Sequence, residues 1–600
     1  MRDLPSLVAA VDRLLAVLDE KAAEHAAAIE AVHPGHRAGA LNLVHYTALR
    51  GEDVRSLQND LMDIGLSSLA TAEANVRAKV LAVRMALGAL AGEPGPWDLG
   101  AVDDAIDDGD DLLDRHARDL LGPVPPPRTT RIMVTLPSEA AADRRVVDDL
   151  VDAGMDLARI NCAHDDEQAW SVMAGYVRSA AERAGRPVGV YMDLGGPKLR
   201  TGPVLPGPRV VRVRPVRDAR GEVVSPARVW LAGAPSTDGA AGGAAGETVA
   251  VPVDPAWVQR RDVGEALTFT DARGRRRRFK VAEVGDAGAL AVGERTAYLE
   301  TGLTLVAGSD RTTVGDLPAL EQRLLLRQGD RVLLTADLTP VDPAARPLRL
   351  GCTLHEVVQA LRPGHRVLLD DGELEAVVEQ VQPDGAWLLV TRTPPNGKRL
   401  GAEKGINVPD TDLPVSALTA ADELALASVV ALADVVGLSF VRSPADVAHA
   451  RERLAAAGGE RVGIVLKIET SQAFAALPEI LLEAMAWPQV GVMIARGDLM
   501  TEIGWERMSE VPSQVLSLCE AAHLPTIWAT QVLESLAKRG VPSRAEIVDA
   551  AAGDRAECIM LNKGPHIVET VQTLDGLLGR TRRVQRKGRT LLRRVQSWSQ

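Results

Sequence analysis

Short apolar segments alternate with helix-like segments through most of the chain after residue 130, and this alternation constrains the fold more than any other feature. Eight apolar segments have the length and composition of buried strands. They are 131–136, 156–162, 187–193, 434–440, 461–468, 489–495, 524–530 and 557–561. Strands that alternate with helices pair in parallel, and eight such units close a barrel. We therefore predict an α/β fold with a (β/α)8 TIM barrel.

The barrel pattern is interrupted once and is preceded by a different kind of sequence. The first part of the chain has the apolar spacing of packed helices, and the long interruption is rich in Val, Gly and Pro with short alternating runs typical of β-structure. The predicted boundaries are 1–121 for a helical N-terminal domain, 122–127 for a proline-rich linker, 128–203 for the first part of the barrel, 204–403 for an inserted β-rich lid domain, 404–581 for the second part of the barrel and 582–600 for a basic tail.

Composition excludes several classes of protein. The net charge of -13 argues against a nucleic-acid partner, because such proteins carry a basic domain. The four cysteines are scattered without a CxxC pair, which fits a reducing compartment and argues against zinc. The charged N-terminal segment is unlike a signal peptide, and no apolar run is long enough to cross a bilayer. We expect a cytoplasmic protein without a membrane partner.

Polar and charged residues follow nearly every predicted barrel strand. In barrels of this type the carboxyl ends of the strands carry the active site. The residues at these strand ends are Arg159, Asn161, Asp193, Ser439, Arg442, Lys467, Glu469, Arg496, Asp498 and Thr530. So many on one rim are hard to explain by packing, so we predict a catalytic site there.

The residue types at this rim suit a small, doubly anionic substrate. Glu469 and Asp498 can hold Mg²⁺ or Mn²⁺, because these cations prefer oxygen ligands. Lys467 lies two residues from Glu469 on the same strand face and can neutralise a phosphoryl group, and Arg159 offers a planar fork for phosphate oxygens. The helix start at 495–498 presents free N–H groups to an anion. The alternative is that Lys467 and Glu469 form only a structural ion pair.

One charged segment outside the barrel has a simpler interpretation. The run Arg275, Arg276, Arg277 and Arg278 in the insertion is predicted to be a solvated strand face or loop.

Several strings resemble a known family. DAGMDLARINCAH, GRPVGVYMDLGGPKLRTG, EKGINVP, GLSFVRSPADV, VLKIET, VMIARGDL, PTIWATQVLESL and PSRAE occur in the order and at the spacing of pyruvate kinases. The resemblance covers about 130–203 and 350–575. It implies an Mg²⁺-dependent kinase of glycolysis that transfers a phosphoryl group from phosphoenolpyruvate to ADP, giving pyruvate and ATP.

The resemblance also implies a role for each matching residue. Lys467 would neutralise the transferring group, Thr530 would lie near the carbon that is protonated, and Arg159 would contact phosphate. The remaining implied roles are a metal site at Glu469 and Asp498, a substrate site at Ala495, Arg496, Gly497, Asp498 and Thr530, and a nucleotide site at Asn161, His164, Arg200, Lys404 and Asp371.

The monovalent-cation site of potassium-requiring relatives is altered in this sequence. Asn161 and Asp193 are kept, but Ala163 and Leu194 replace two of the ligands. Lys198 stands where those relatives carry Glu, and its ammonium can supply the missing positive charge. We therefore predict activity without K⁺.

Other departures leave alternatives open. The eighth strand is followed by Asn562-Lys563-Gly564-Pro565 in place of the family's Ser-Gly-Glu-Thr, and the family's C-terminal effector domain is expected to be missing. The chain is thus predicted to be a divergent pyruvate kinase with an extra helical region and an enlarged lid, and a homo-oligomer is one expected form of it. The alternatives are a barrel phosphotransferase or lyase acting on another phosphoenol or oxo-acid substrate, and a non-catalytic regulatory paralogue.

Overall fold

The computed structural model describes residues 4–93, 95–233, 246–581, 585–586 and 589–590. Its contacts divide the chain into two compact units. The first unit comprises Met1–Leu199, Glu356–Val378 and Gly405–Gln600, and the second comprises Arg200–His355 and Glu379–Lys404. The domain boundaries expected from the sequence stay predictions.

Six helices precede the barrel in the first unit. They are α1 (Leu4–Glu24), α2 (Ala26–Ala31), α3 (Arg37–Gly51), α4 (Arg55–Asp63), α5 (Val76–Ala91) and α6 (Leu99–Leu121). Each long helix buries one apolar face; α1, for example, buries Leu7, Val11, Leu14 and Leu18. The side chain of Asp98 accepts a hydrogen bond from Gly100 N and so caps the start of α6.

The first part of the barrel follows these helices. Its elements are β1 (Arg131–Thr135), α7 (Arg144–Ala153), β2 (Leu157–Asn161), α8 (Glu167–Ala184) and β3 (Gly189–Asp193). β2 pairs in parallel with β1 and with β3, and Asn161 lies opposite Asp193 at the end of the ladder. The first three predicted strands are therefore present with the predicted parallel order.

The chain then forms a β-rich region. Its elements are β4 (Val210–Val213), β5 (Val216–Arg217), β6 (Val223–Ser225), β7 (Ala227–Ala232), β8 (Thr248–Pro252), α9 (Pro255–Val258), β9 (Ala266–Thr270), β10 (Arg276–Gly285), β11 (Gly288–Gly293), β12 (Ala297–Glu300), β13 (Thr304–Ala307), β14 (Asp310–Thr313), β15 (Leu324–Leu326), β16 (Arg331–Thr335), β17 (Leu348–Gly351), α10 (His355–Ala360), β18 (Arg366–Leu369), β19 (Leu374–Gln382), β20 (Gly385–Arg392), β21 (Lys398–Leu400) and β22 (Ile406–Asn407).

The largest sheet of the second unit has seven strands in the order β14-β13-β9-β10-β11-β7-β8. One face of this sheet carries the unit's apolar core, in which the rings of Phe269 and Phe279 lie 5.4 Å apart. Val229, Val281 and Leu305 lie in the same core, so alternate residues of several strands point inward.

The barrel is completed by the last part of the chain. The elements are α11 (Ala420–Leu432), β23 (Val435–Leu438), α12 (Pro444–Ala456), β24 (Gly463–Ile468), α13 (Ser471–Ala475), α14 (Leu477–Ala484), β25 (Val490–Ala495), α15 (Arg496–Ile503), α16 (Val511–Ala521), β26 (Thr526–Ala529), α17 (Glu534–Arg539), α18 (Arg544–Gly553), β27 (Cys558–Leu561), α19 (Ile567–Thr581), β28 (Gln585–Arg586) and β29 (Arg589–Thr590).

The eight strands close in the order β1-β2-β3-β23-β24-β25-β26-β27. β27 pairs in parallel with β1, with Arg131 opposite Cys558, and this pairing completes the ring. The predicted fold class, a TIM barrel with additional β-sheets and an N-terminal helical region, is confirmed. Within the described residues, no helix is both long enough and apolar enough to cross a lipid bilayer.

The end of α6 closes the amino-terminal mouth of the barrel. Leu120 and Leu121 belong to the same apolar cluster as side chains that fill the barrel interior, including Met133, Tyr191 and Met493. Two strand glycines make this contact possible. A Cβ at Gly463 would lie 2.3 Å from the Leu120 side chain and one at Gly491 would lie 2.5 Å from it, so any larger residue would displace the leucine.

Candidate active site

A buried group of charges lies at the carboxyl ends of β2, β3 and β24. Lys467 Nζ is 3.3 Å from Asp193 Oδ2 and 3.1 Å from Glu469 Oε1, and it donates a hydrogen bond of 2.7 Å to Ser439 Oγ. Arg159 Nε donates to Asp193 Oδ2 at 3.0 Å. The structure thus joins in one network five residues that were predicted from four strand ends.

The charges in this network hold one another in the ionised state. Burial alone would raise the pKa of Asp193, but Lys467 and Arg159 outweigh it and the net effect is a lowered pKa. Burial likewise acts to lower the pKa of Lys467, and the carboxylates of Asp193 and Glu469 reverse this into a net increase. Lys467 therefore remains an ammonium although its side chain is only 11% exposed.

Glu469 and Asp498 are the two residues predicted to hold a divalent metal. Glu469 Oε2 accepts a hydrogen bond of 2.7 Å from Phe440 N, which fixes its orientation. The pKa of Glu469 is raised, first by burial, while Lys467 opposes the increase and the Asp498 carboxylate adds to it. Two carboxylates that repel each other in a buried place fit a divalent cation, because its charge would stabilise both.

Lys198 currently neutralises one of these carboxylates. Its Nζ lies 3.2 and 3.3 Å from the two oxygens of Asp498 and 5.9 Å from the centre of the Phe440 ring. Asp193 is instead held by Arg159 and Lys467. The structure therefore places the Lys198 ammonium at the predicted metal ligand Asp498.

Thr530 and Gly497 are brought together by the turn after β26 and the start of α15. Gly497 N donates a hydrogen bond of 2.8 Å to Thr530 Oγ1. Ala495 precedes the helix and Asp498 lies in its first turn, and the anion site expected there stays a prediction. The Arg496 guanidinium binds Asp549 and donates to the Thr530 carbonyl oxygen, so its hydrogen bonds go to the protein.

The predicted nucleotide residues lie in several places. Asn161 and His164 line a cavity of about 170 Å³ together with Arg159, and Asn562 and Lys563 line it as well. Asn161 Oδ1 accepts a hydrogen bond from the backbone N–H two residues later.

The other three residues predicted for the nucleotide lie outside that cavity. Asp371 lies in the turn after β18, with a positive φ of 55°, and the turn passes beside Thr501 of α15. Arg200 and Lys404 belong to the second unit, where Arg200 Nη1 donates to Glu403 O at 3.0 Å.

Three residues near this site were not predicted from the sequence, namely Thr135, Asn407 and Glu502. Thr135 Oγ1 accepts a hydrogen bond of 3.0 Å from Arg159 Nη1. Glu502 is buried beside the metal pair, where burial raises its pKa to about 7, and Asn407 Nδ2 donates to it at 2.9 Å. The sequence carried a signal for Glu502, because it follows Asp498 by four residues and so lies on the same helix face.

Comparison with known proteins identifies the family of this barrel. The model of the pyruvate kinase barrel domain matches residues 127–219 and 310–567.

Individual relatives agree with that match. A pyruvate kinase of Methylorubrum extorquens is 29% identical over 75% of this chain and 67% of its own length. The pyruvate kinase PKLR of Rattus norvegicus is 26% identical over 74% of this chain and 58% of its own. A pyruvate kinase of Corynebacterium efficiens is 28% identical over 74% of this chain and 69% of its own length. The resemblance read from the sequence motifs is confirmed: the chain is a phosphotransferase enzyme and belongs to the pyruvate kinase family.

Proposed function

We propose that this chain transfers a phosphoryl group between phosphoenolpyruvate and ADP, with Mg²⁺ or Mn²⁺ and without K⁺. The observation that carries the proposal is the buried network of Arg159, Asp193, Lys467 and Glu469. It holds two cations in fixed positions at the barrel rim. Phosphoryl transfer depends on such positioning and charge neutralisation more than on covalent chemistry.

Within this proposal, Lys467 and Arg159 bind the phosphoryl group as it moves. Asp193 keeps both cations charged and oriented, since it accepts from each of them. Because the groups are positioned before the substrate arrives, little reorganisation is needed in the transition state. Thr530 lies beside the helix start that binds the substrate carboxylate, so its hydroxyl is close to the carbon that gains a proton when enolpyruvate becomes pyruvate.

Glu469 and Asp498 would hold the divalent cation. When bound there, a divalent cation would supply charge neutralisation for the substrate phosphate. Lys198 must then leave Asp498 or share it, because its ammonium lies within hydrogen-bonding distance of both carboxylate oxygens. Asn161, His164, Arg200, Lys404 and Asp371 are proposed to contact the nucleotide.

Independence from K⁺ is proposed on the charge already present in the site. Ala163 and Leu194 offer no side-chain oxygen to a monovalent cation, whereas Lys198 contributes an ammonium near the same rim. Turnover would be measured in a buffer free of Na⁺ and K⁺ and again after K⁺ is added. An increase of less than about tenfold is expected, and a larger one contradicts the proposal.

The activity itself is tested with purified protein in an assay that couples pyruvate formation to lactate dehydrogenase. The wild type should turn over, and Lys467→Met should reduce turnover by several orders of magnitude. Lys21→Met is the matched control, because Lys21 is a surface residue of α1 that pairs with Glu24. Equal signal from the wild type and Lys467→Met overturns the assignment.

A second candidate is phosphoryl transfer or a lyase reaction on another phosphoenol or oxo-acid substrate. Asn562 and Lys563 favour it, because they line the same cavity as Arg159. A panel of such substrates in the same assay format separates the two functions. A non-catalytic role fits less well, since the metal and phosphate residues are all present. A cytoplasmic location, a role in glycolysis and assembly into a homo-oligomer are proposed from family membership.

A further inference from the structure

Three cations form a row on the outer face of the seven-stranded sheet in the second unit. In β10, Phe279 and Val281 enter the core. Successive side chains of a strand point to opposite faces, so Arg276, Arg278 and Lys280 project from the other side, and all three are exposed. We call these three residues the basic row.

The neighbours of the basic row on adjacent strands are small and neutral. Thr268 lies opposite Arg278, and Lys280 lies between Ala266 on one side and Val292 on the other. Like charges two positions apart on one strand face are only about 7 Å from each other. Because the residues paired with them in these ladders are uncharged, the three cations repel one another and raise the local positive potential.

The missing compensation distinguishes these cations from other arginines of the same unit. Arg277 pairs with Asp271 at 2.9 Å, and Arg261 pairs with Asp310 at 2.5 Å. Among the residues that the structure describes, neither the basic row nor Arg295 has a carboxylate or carbonyl partner for its side chain. Four charged groups are thus left with their full hydrogen-bonding capacity.

The same four side chains line one depression. It has a volume of about 1360 Å³ and is bounded by Val223, Pro226 and Gly308. Arg295, in the turn after β11, lines it together with the basic row. Arg277 and Glu294 also line it, so the lining carries five positive charges, of which Arg277 is paired with Asp271, against one negative charge.

We propose that this depression binds a small anion that carries two or more phosphate groups. The basic row extends over about 13 Å of strand, which matches a short chain of phosphates rather than a single one. Guanidinium groups bind phosphate oxygens through paired hydrogen bonds, and Arg276, Arg278 and Arg295 are all free to do so. A nucleic-acid duplex would need a longer basic surface than three strand positions supply.

The test is isothermal titration of the full chain with inorganic tripolyphosphate in magnesium-free buffer. The wild type should bind, and the double variant Arg278→Gln/Lys280→Gln should bind at least tenfold more weakly. Arg212→Gln is the matched control, because Arg212 is an exposed β4 residue of the same unit outside the depression. Its affinity should stay within twofold of the wild type's. An unchanged thermal midpoint of the double variant shows that it is folded.

The proposal is overturned if the wild type does not bind tripolyphosphate, or if the control loses as much affinity as the double variant. It is also overturned if only duplex DNA depends on the basic row. A parallel titration with ATP separates the possible sources of the anion. If only the affinity for tripolyphosphate falls in the double variant, the site binds inorganic polyphosphate. If the affinity for ATP falls as well, the site also binds phosphate esters. The readout is binding, so it stands or falls independently of the proposed kinase activity.

Discussion

Asp549 binds the guanidinium of Arg496 with both carboxylate oxygens, and Arg496 in turn donates to the backbone carbonyl oxygens of Ala529 and Thr530, at 3.0 and 2.6 Å. The guanidinium also lies over the Trp528 ring, 4.3 Å from its centre. Thr530 has a φ of 66°, which is costly for a β-branched residue. The Asp549–Arg496 pair therefore holds the strained turn that presents the Thr530 hydroxyl.

Asp549→Asn is expected to lower kcat about tenfold or more while changing the KM for phosphoenolpyruvate much less. The amide binds Arg496 more weakly than the carboxylate does, so the backbone at Thr530 is held less firmly, while no group that binds the substrate is removed. Steady-state kinetics in the coupled assay measure this, and Asp549→Glu should recover part of kcat. Asp19→Asn, which breaks a similar surface pair with Arg77, is the control. An equal loss in both Asn variants would exclude a positioning role.

Lys198→Met is expected to strengthen binding of Mn²⁺ to the free enzyme several-fold. The ammonium and a divalent cation compete for Asp498, and a partly exposed ion pair contributes up to about 1 kcal/mol, which is about fivefold in affinity. Electron paramagnetic resonance of free Mn²⁺ gives the dissociation constant without turnover. Lys538→Met, which breaks a surface pair with Glu534, should leave it unchanged. Weaker Mn²⁺ binding in Lys198→Met would instead show that the ammonium supports the metal site.

The buried carboxyl of Glu502 predicts a pH dependence of stability. Its pKa is about 7 in the fold against 4.5 in a free chain, so the folded state retains the proton more strongly. That contribution to the free energy of unfolding is complete below pH 4.5 and disappears as the pH rises through 7. Its upper limit is on the order of 3 kcal/mol. Glu502→Gln should remove this decrease, because the amide keeps the acceptor that binds Asn407.

Urea unfolding at pH 5 and pH 7.5 measures the difference for the wild type and Glu502→Gln. The exposed Glu506→Gln serves as the control and should keep the pH dependence of the wild type. If the free energy of unfolding changed equally between the two pH values in all three proteins, the proposed effect of Glu502 would be excluded.

Asp156→Leu is expected to destabilise the fold by about 3 to 5 kcal/mol, because it leaves a buried cation without its main partner. Asp156 and Arg128 are 3% and 2% exposed and lie 2.7 Å apart. Asp156 also accepts a hydrogen bond from Ile132 N at the start of the barrel. Chemical denaturation measures the loss. Asp152→Leu removes the exposed partner of Arg183 and should cost less than about 1 kcal/mol.

The sequence predicted the barrel well because its signals are local and repeated. Each strand is a short apolar run, and the chemistry follows the run directly, as with Lys467 at the end of β24. Parallel pairing then brings the strand ends to one rim, where Asp193 and Lys467 are in contact.

Other relationships have no local signal. Lys198 was expected to compensate a lost cation site, but its partner Asp498 lies 300 positions away and only the fold brings them together. Asp549 follows no strand, and nothing in its neighbourhood indicates Arg496. The run from Arg275 to Arg278 was predicted to be a solvated strand face or loop, and the uncharged partners of the basic row depend on which strands pair with β10.

Leu120 and Leu121 of α6, which close the amino-terminal mouth of the barrel, have a consequence for the biosynthesis of this enzyme. Leu120 leaves the ribosome long before Gly463 and Gly491, the two glycines that receive it. The ring itself cannot close until β27 has been made, since that strand pairs with β1. Until then Leu120 has no complete barrel to pack against. A chain shortened to begin after α6 would leave the amino-terminal mouth of the barrel open to water. The end of α6 is thus part of the barrel core, but it can take its final place only after nearly the whole chain has been synthesised.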